Sequence, residues 1–234
     1  MKQRFQGYLP LNNNEFEVGD NVSSNRIKTC SFNWGPYVMA TTLPDYIING
    51  LKEAGDKLNE EANYGEHLAG HLKHQYQYKQ ETKEWFYREL TPYIKAYRKG
   101  HCQFHGLPEM RIDIGPIDLW INYMKPGDYN PFHIHGGDYS FVIFIDVPKE
   151  LEEERKKYPG THAAPGSLVF SYGQVQQPAI FRMEQLITPY TGDFYMFPSL
   201  LHHSVFPFKS DVTRISVSGN MAVLNRQNLP KTYF

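Results

Sequence analysis

Cysteine is scarce in this chain: there are two in 234 residues, Cys30 and Cys102, and they have no CxxC spacing. That excludes a disulfide framework and a four-cysteine zinc site, and each thiol reads as a small buried apolar residue. Long apolar runs are missing too. No stretch is long enough to span a membrane, and the start, MKQRFQGYLPLNNNEF, has neither the apolar core nor the cleavage site of a secretory signal. A cytoplasmic location with no membrane partner is therefore expected. Charge of one sign is absent as well. With 24 Lys and Arg against 25 Asp and Glu, the net charge is -1, so no global field draws the chain to nucleic acid. There is no GxSxG elbow, P-loop or HExxH, and Gly115, Gly127, Gly136 and Gly137 form no phosphate-binding fingerprint.

What is present is a folding composition. The hydrophobic share is 41% and the aromatic share 15%, which together argue against disorder. The length suits one domain over 1–234, with an N-terminal arm and supporting helices over 1–105 and a β-rich core over 106–234. Before residue 40, turn signals at Leu9-Pro10, Asn12 to Asn14 and Gly35-Pro36 separate short runs and suggest edge strands or a wrapped arm. After a Thr42 cap, Ile47, Ile48, Leu51, Ala54 and Leu58 recur at helical spacing. Phe86, Leu90, Tyr93, Ile94 and Tyr97 do so again from about Thr82 to Lys99, with Pro92 placed to kink the helix and Gly100 to stop it.

From residue 106 the period changes to two. IDLWINYM (117–124), FHIH (132–135), SFVIFIDV (140–147), GSLVFSY (166–172), FYMFPS (194–199) and TRISVSGNMAV (213–223) read as short strands separated by turns. The charged stretch 151–160 reads as a solvated helical turn or loop outside the core. The fold class is α+β, mainly β: an antiparallel double-stranded β-helix, or jelly roll, on an N-terminal helical layer.

Ten histidines are the conspicuous excess. His133 and His135 are two apart, so a strand directs both to one face, where two imidazoles can share a metal. His202 and His203 are adjacent, so one points in and the other out. About seventy residues separate the two groups, which suits a site assembled from different strands rather than a zinc finger. Imidazoles alone are compatible with iron, zinc or copper. Arg214 and Ser216 share one strand face opposite Ile215 and Val217, and an inward guanidinium requires an anion, for which its planar fork matches a carboxylate. His67, His71 and His74 fall on one helical stripe and read as a polar helix face. Tyr76, Tyr78, Trp85, Phe86 and Tyr87 read as packing between helices and barrel.

From about Trp120 to Val223 the chain resembles the iron(II)- and 2-oxoglutarate-dependent dioxygenases, in particular the prolyl-hydroxylase-like group with bacterial and phage members. The matching pieces, in order, are Trp120, Asn122 and Pro126-Gly127; His133-Ile134-His135; Val147-Pro148; Gly166 to Phe170; Gly192 to Pro198; His203-Ser204-Val205; and Arg214-Ile215-Ser216. The resemblance implies His133 and His203 as iron ligands, Arg214 with Ser216 on the distal carboxylate of 2-oxoglutarate, and Asn122 as a further co-substrate contact. It also implies O2 as the oxidant, hydroxylation of a C–H bond with succinate and CO2 as co-products, and a peptide or protein among the possible substrates. The family's usual carboxylate ligand is replaced here by His135, so the third position falls to His135, to Asp138 or to water. Two other readings compete: a three-histidine, cupin-like dioxygenase that needs no oxoacid, and a non-catalytic jelly-roll binding module.

Overall fold

The computed structural model describes residues 35–109, 112–160, 164–173 and 184–226, with the backbone of two short paired strands, β1 (Glu17–Val18) and β2 (Ile27–Lys28). Cys30 and the turn signals before Gly35 lie outside the described residues.

Strand β3 (Met39–Thr42) leads into helix α1 (Asp45–Gly55). Thr42 ends the strand and does not cap the helix. The residue at the helix start is Pro44, which gives no side-chain cap, while Ile47, Ile48 and Leu51 bury one face as their spacing requires. After β4 (Gln75–Gln77), helix α2 runs from Gln80 to Phe104, longer than its pattern suggests. Neither Pro92 nor Gly100 ends it. Gly100 instead admits Tyr37, whose hydroxyl occupies the place a Cβ would take. The stop comes at Gly106, at φ +63, where Leu107 N–H donates to Cys102 O and Gly106 N–H to Gln103 O. This is the glycine-terminated Schellman arrangement. Cys102 is buried, as expected.

The remaining elements are β5 (Ile114–Met124), β6 (Asn130–His133), β7 (Tyr139–Asp146), α3 (Lys149–Lys157), β8 (Leu168–Ser171), β9 (Glu184–Ile187), β10 (Asp193–Pro198), β11 (His202–Val205) and β12 (Arg214–Val223). They form a six-stranded sheet, β3-β10-β7-β12-β5-β4, and a four-stranded sheet, β6-β11-β8-β9, with every pairing antiparallel. This is the two-sheet jelly roll that the strand pattern predicts. The short strands β4, β9 and β11 are additions to it, and FHIH is corrected: β6 ends at His133, so His135 lies beyond the strand.

Strand alternation divides the large sheet into two faces. Leu119, Ile121, Phe141, Ile143, Phe194, Met196, Ile215 and Val217 pack with Ile47, Leu51, Phe86 and Leu90 under the helical layer. Tyr76, Tyr78, Phe86 and Tyr87 belong to this core, as the packing reading has it. On the opposite face Phe144, Tyr195 and Phe197 meet Leu168, Phe170 and Ile187 of the small sheet. Helix α3 is less detached than expected. Leu151 is buried with Met124 and Phe208, and Arg155 Nε donates to Pro165 O at 2.8 Å. Among the described residues no helix is long and apolar enough to cross a membrane.

Candidate functional site

On the face of the large sheet turned toward the small one, β12 places Arg214, Ser216 and Ser218 beside Trp120 and Asn122 of β5, as residues two apart must fall. The small sheet contributes His133 and His203, which stand directly opposite each other on β6 and β11. One cavity is lined by His133, His135, His203, Arg214, Ser216 and Asn122 together. All six residues singled out in the sequence thus meet in one place.

The three imidazoles are packed ring to ring, with centroids 4.2 Å apart for His133 and His203, 4.8 Å for His133 and His135, and 4.9 Å for His135 and His203. His133 Nδ1 lies 2.7 Å from Pro131 O and His203 Nδ1 lies 2.8 Å from Leu201 O. A carbonyl oxygen only accepts, so each Nδ1 carries the proton and each Nε2 keeps a bare lone pair. His135 Nε2 is 3.1 Å from His203 Nε2. That gap is closed either by His135 donating to His203 or by a cation that both lone pairs bind. Cis nitrogens on an octahedral metal with bonds of about 2.1 Å are about 3 Å apart, so the spacing fits a metal. The ligand atoms of all three lie within 4.8 Å of one another, and the group could hold an ion.

Burial keeps these imidazoles neutral, the state a ligand needs. Desolvation pushes the His203 pKa down to about 3, with further lowering from His133 and His135, and pushes His135 down to about 4, with a contribution from His133. His133 is lowered for the same first reason. Phe197 and Phe170, with ring centroids 4.9 and 6.1 Å from His203, supply much of that apolar surrounding. Although β6 stops at His133, the backbone holds His135 in place: its N–H donates to Ser199 O at 2.9 Å, and Trp120 packs 5.8 Å from its ring. Asp138 is engaged elsewhere. Its carboxylate accepts from Val223 N–H at 2.8 Å and from Arg226 at 2.8 and 2.9 Å.

Arg214 is buried. It donates from one terminal nitrogen to Gly166 O at 2.8 Å and lies over the Phe144 ring at 5.3 Å, while its Nε has no partner among the described residues. Burial, and secondarily Arg155, push its pKa down to about 9. The guanidinium is still charged at neutral pH, and no carboxylate lines the cavity beside it among the described residues. Asn122 Oδ1 accepts from Gln75 Nε2 at 2.8 Å, and its own Nδ2 lies 3.5 and 3.4 Å from the Ser216 and Ser218 hydroxyls.

Sequence reasoning missed Gln75, which is buried with its Oε1 unpartnered and lines the same cavity. The alternation in His74-Gln75-Tyr76-Gln77-Tyr78 was the available signal for a strand there. It also missed Asn130, at the start of β6, and Leu68, Ala69, Gly70 and Leu72, which line the cavity from outside the sheets. The helical stripe of His67, His71 and His74 is corrected. Only a single 3-10 turn, Gly65–His67, is helical; His71 bridges to Tyr129 and stacks on its ring at 4.7 Å, and His74 Nδ1 lies 3.0 Å from the Tyr76 hydroxyl.

A family model described as "Putative 2OG-Fe(II) oxygenase" matches residues 118–220. No curated protein matches the chain in sequence. Among solved structures, HygX from Streptomyces hygroscopicus with nickel and 2-oxoglutarate bound is 9% identical with a TM-score of 0.52, over 82% of this chain and 84% of that one. The non-heme alpha ketoglutarate dependent epimerase SnoN from nogalamycin biosynthesis is 14% identical with a TM-score of 0.51, over 79% of this chain and 78% of that one. A Pseudomonas putida prolyl-4-hydroxylase is 16% identical with a TM-score of 0.49, over 80% and 92%. At such identities the likeness is one of fold, and fold does not name a substrate. The family match, by contrast, spans both histidine groups and most of the Arg214 strand, so that over residues 118–220 the chain is similar to the 2OG-Fe(II) oxygenases.

Proposed function

We propose that the chain is an oxygenase of the cytoplasm in which His133, His135 and His203 hold iron(II), while Arg214 and Ser216, with Asn122 beside them, hold 2-oxoglutarate. The observation that carries this reading is a buried guanidinium that no carboxylate faces among the described residues, in the same cavity as three neutral imidazoles. When bound, iron with 2-oxoglutarate and O2 supplies hydroxylation of a C–H bond, the oxoacid leaving as succinate and CO2.

The chain's own residues do the rest. Backbone carbonyls at Pro131 and Leu201 fix the tautomers of His133 and His203, so that both Nε2 atoms are available for a metal. Arg214 offers a fixed cation and an unpartnered Nε–H to a carboxylate, and Ser216 adds a hydroxyl two residues along the same strand. Phe144, Phe197 and Leu168 exclude water around them and strengthen that attraction. The opening beside His133 and His135 suits a substrate presented from the surface, a peptide segment included.

Purified protein given iron(II), ascorbate and 2-oxoglutarate should form succinate, and Arg214→Ala should lose oxoacid binding; wild-type protein that neither binds nor consumes the oxoacid defeats the proposal. The all-imidazole donor set favours a second reading, a three-histidine dioxygenase independent of the oxoacid. Oxygen uptake with no oxoacid present, unaffected by Arg214→Ala, would select it.

A further inference from the structure

His133 and His135 border a second space. Beyond the inner cavity lies an open surface cleft of about 360 Å³, which also includes Tyr64, His67, Ile117, Asp118 and Ile134. The two spaces have opposite polarity. Among the described residues the inner one has Arg214 and no carboxylate, whereas Asp118 is the only Asp, Glu, Lys or Arg lining the outer one.

We propose that the outer cleft takes a substrate bearing an alkylammonium group, with Asp118 and the Tyr64 ring receiving the cation and Ile117 and Ile134 the aliphatic stem. This rests on the reading of His133, His135 and His203 as the iron site.

Three features of the cleft support that choice. Asp118 Oδ1 accepts from the Tyr64 hydroxyl at 3.0 Å, so the carboxylate is held in position and its second oxygen is left to accept from a ligand. Tyr64 is itself braced by the His67 ring at 5.0 Å and by Trp120 at 6.1 Å, which sets an aromatic surface next to the carboxylate. A carboxylate beside an aromatic ring is a combination that favours an organic cation. Ile117 and Ile134 are large apolar side chains left 44% and 46% exposed in the same cleft, a surface that an aliphatic chain would cover. A free amino acid is disfavoured, because its own carboxylate would find no Lys or Arg among the described residues of the lining. An ammonium on an otherwise uncharged chain, such as a lysine side chain within a peptide, meets no such conflict.

The probes are N-acetyl-lysine amide and N-acetyl-norleucine amide, which differ at the end of the side chain by the ammonium. Each is titrated calorimetrically and anaerobically into the full chain, with and without iron(II), and 2-oxoglutarate binding is measured separately on the same protein. We expect the lysine probe to bind about tenfold more tightly than the norleucine probe, and Asp118→Asn to bring the ratio to about one. On wild-type protein the preference should also shrink as salt is raised, a readout that does not depend on the variant folding. Equal binding of the two probes, or a preference indifferent to both salt and Asp118→Asn, overturns the proposal. If 2-oxoglutarate binds and the ammonium preference is absent, the substrate class fails and the iron reading stands. If the preference is present and 2-oxoglutarate does not bind, the cleft assignment stands and the oxoacid reading fails.

Discussion

Arg214 carries a charge into a place where charge is costly. Its hydrogen bond to Gly166 O offsets part of that cost, and no carboxylate faces it among the described residues. A residue kept for stability alone would be better replaced by an apolar side chain of similar length. Arg214→Met should therefore leave the thermal midpoint of the ligand-free protein unchanged or raised, while weakening 2-oxoglutarate binding by about a hundredfold or more. Differential scanning fluorimetry and a binding titration on the same sample check both halves. A large fall in midpoint would assign the residue to structure instead. His135 differs from its two partners in how it is held. His133 and His203 each donate from Nδ1 to a backbone carbonyl two residues back, whereas His135 is located by its own backbone N–H and by Trp120.

The central element is β12, which pairs with both β5 and β7. Read alone, its sequence poses an alternative: either Ile215 and Val217 face the core and Arg214 faces water, or the reverse. Both pairs are buried, because helices cover one face of the sheet and the small sheet covers the other. Period two identifies which residues share a face and is silent on what covers it. Gly219 sits in the middle of this strand, where an added Cβ would lie 2.7 Å from Asp118 O and would collide with the Phe141 ring. Gly219→Ala should destabilise the protein by about 1–3 kcal/mol, measurable by urea denaturation. Near the end of α2, burial pushes the His101 pKa down to about 4, with His105 adding to the shift, and His101 Nδ1 is buried without a partner among the described residues. The unfolded chain, at about 6.5, takes up this proton before the folded one does. Stability is therefore fully present above about pH 6.5 and falls as pH drops toward 4. His101→Gln should flatten the loss of thermal midpoint across that window.

Across the molecule, the candidate metal ligands and the oxoacid contacts come from different sheets. His133 and His203 belong to the small sheet, while Arg214, Ser216 and Asn122 belong to the large one. On the proposed assignment a metal alone would engage one side of the sandwich, and 2-oxoglutarate bound with it would tie the two together. The thermal midpoint should rise with iron(II) or manganese(II) under anaerobic conditions and rise further when 2-oxoglutarate is added. At a ligand concentration of 100 times Kd the stabilisation is about 2.7 kcal/mol. His203→Ala should abolish both increments, and midpoints insensitive to metal in the wild-type protein would speak against the centre. By itself the sequence determined the jelly-roll class and the helical layer, and through its resemblance to a family it singled out His133, His203, Arg214, Ser216 and Asn122 as candidates, because strand alternation and local motif order are written along the chain. Only the tertiary structure decided that His135 turns inward past the end of β6, that Asp138 is tied to Val223 and Arg226, and that Gln75 and Asp118 join the two spaces beside the histidines. Those placements depend on contacts between residues far apart in the chain, and local periodicity does not encode which distant strand or loop a side chain will meet.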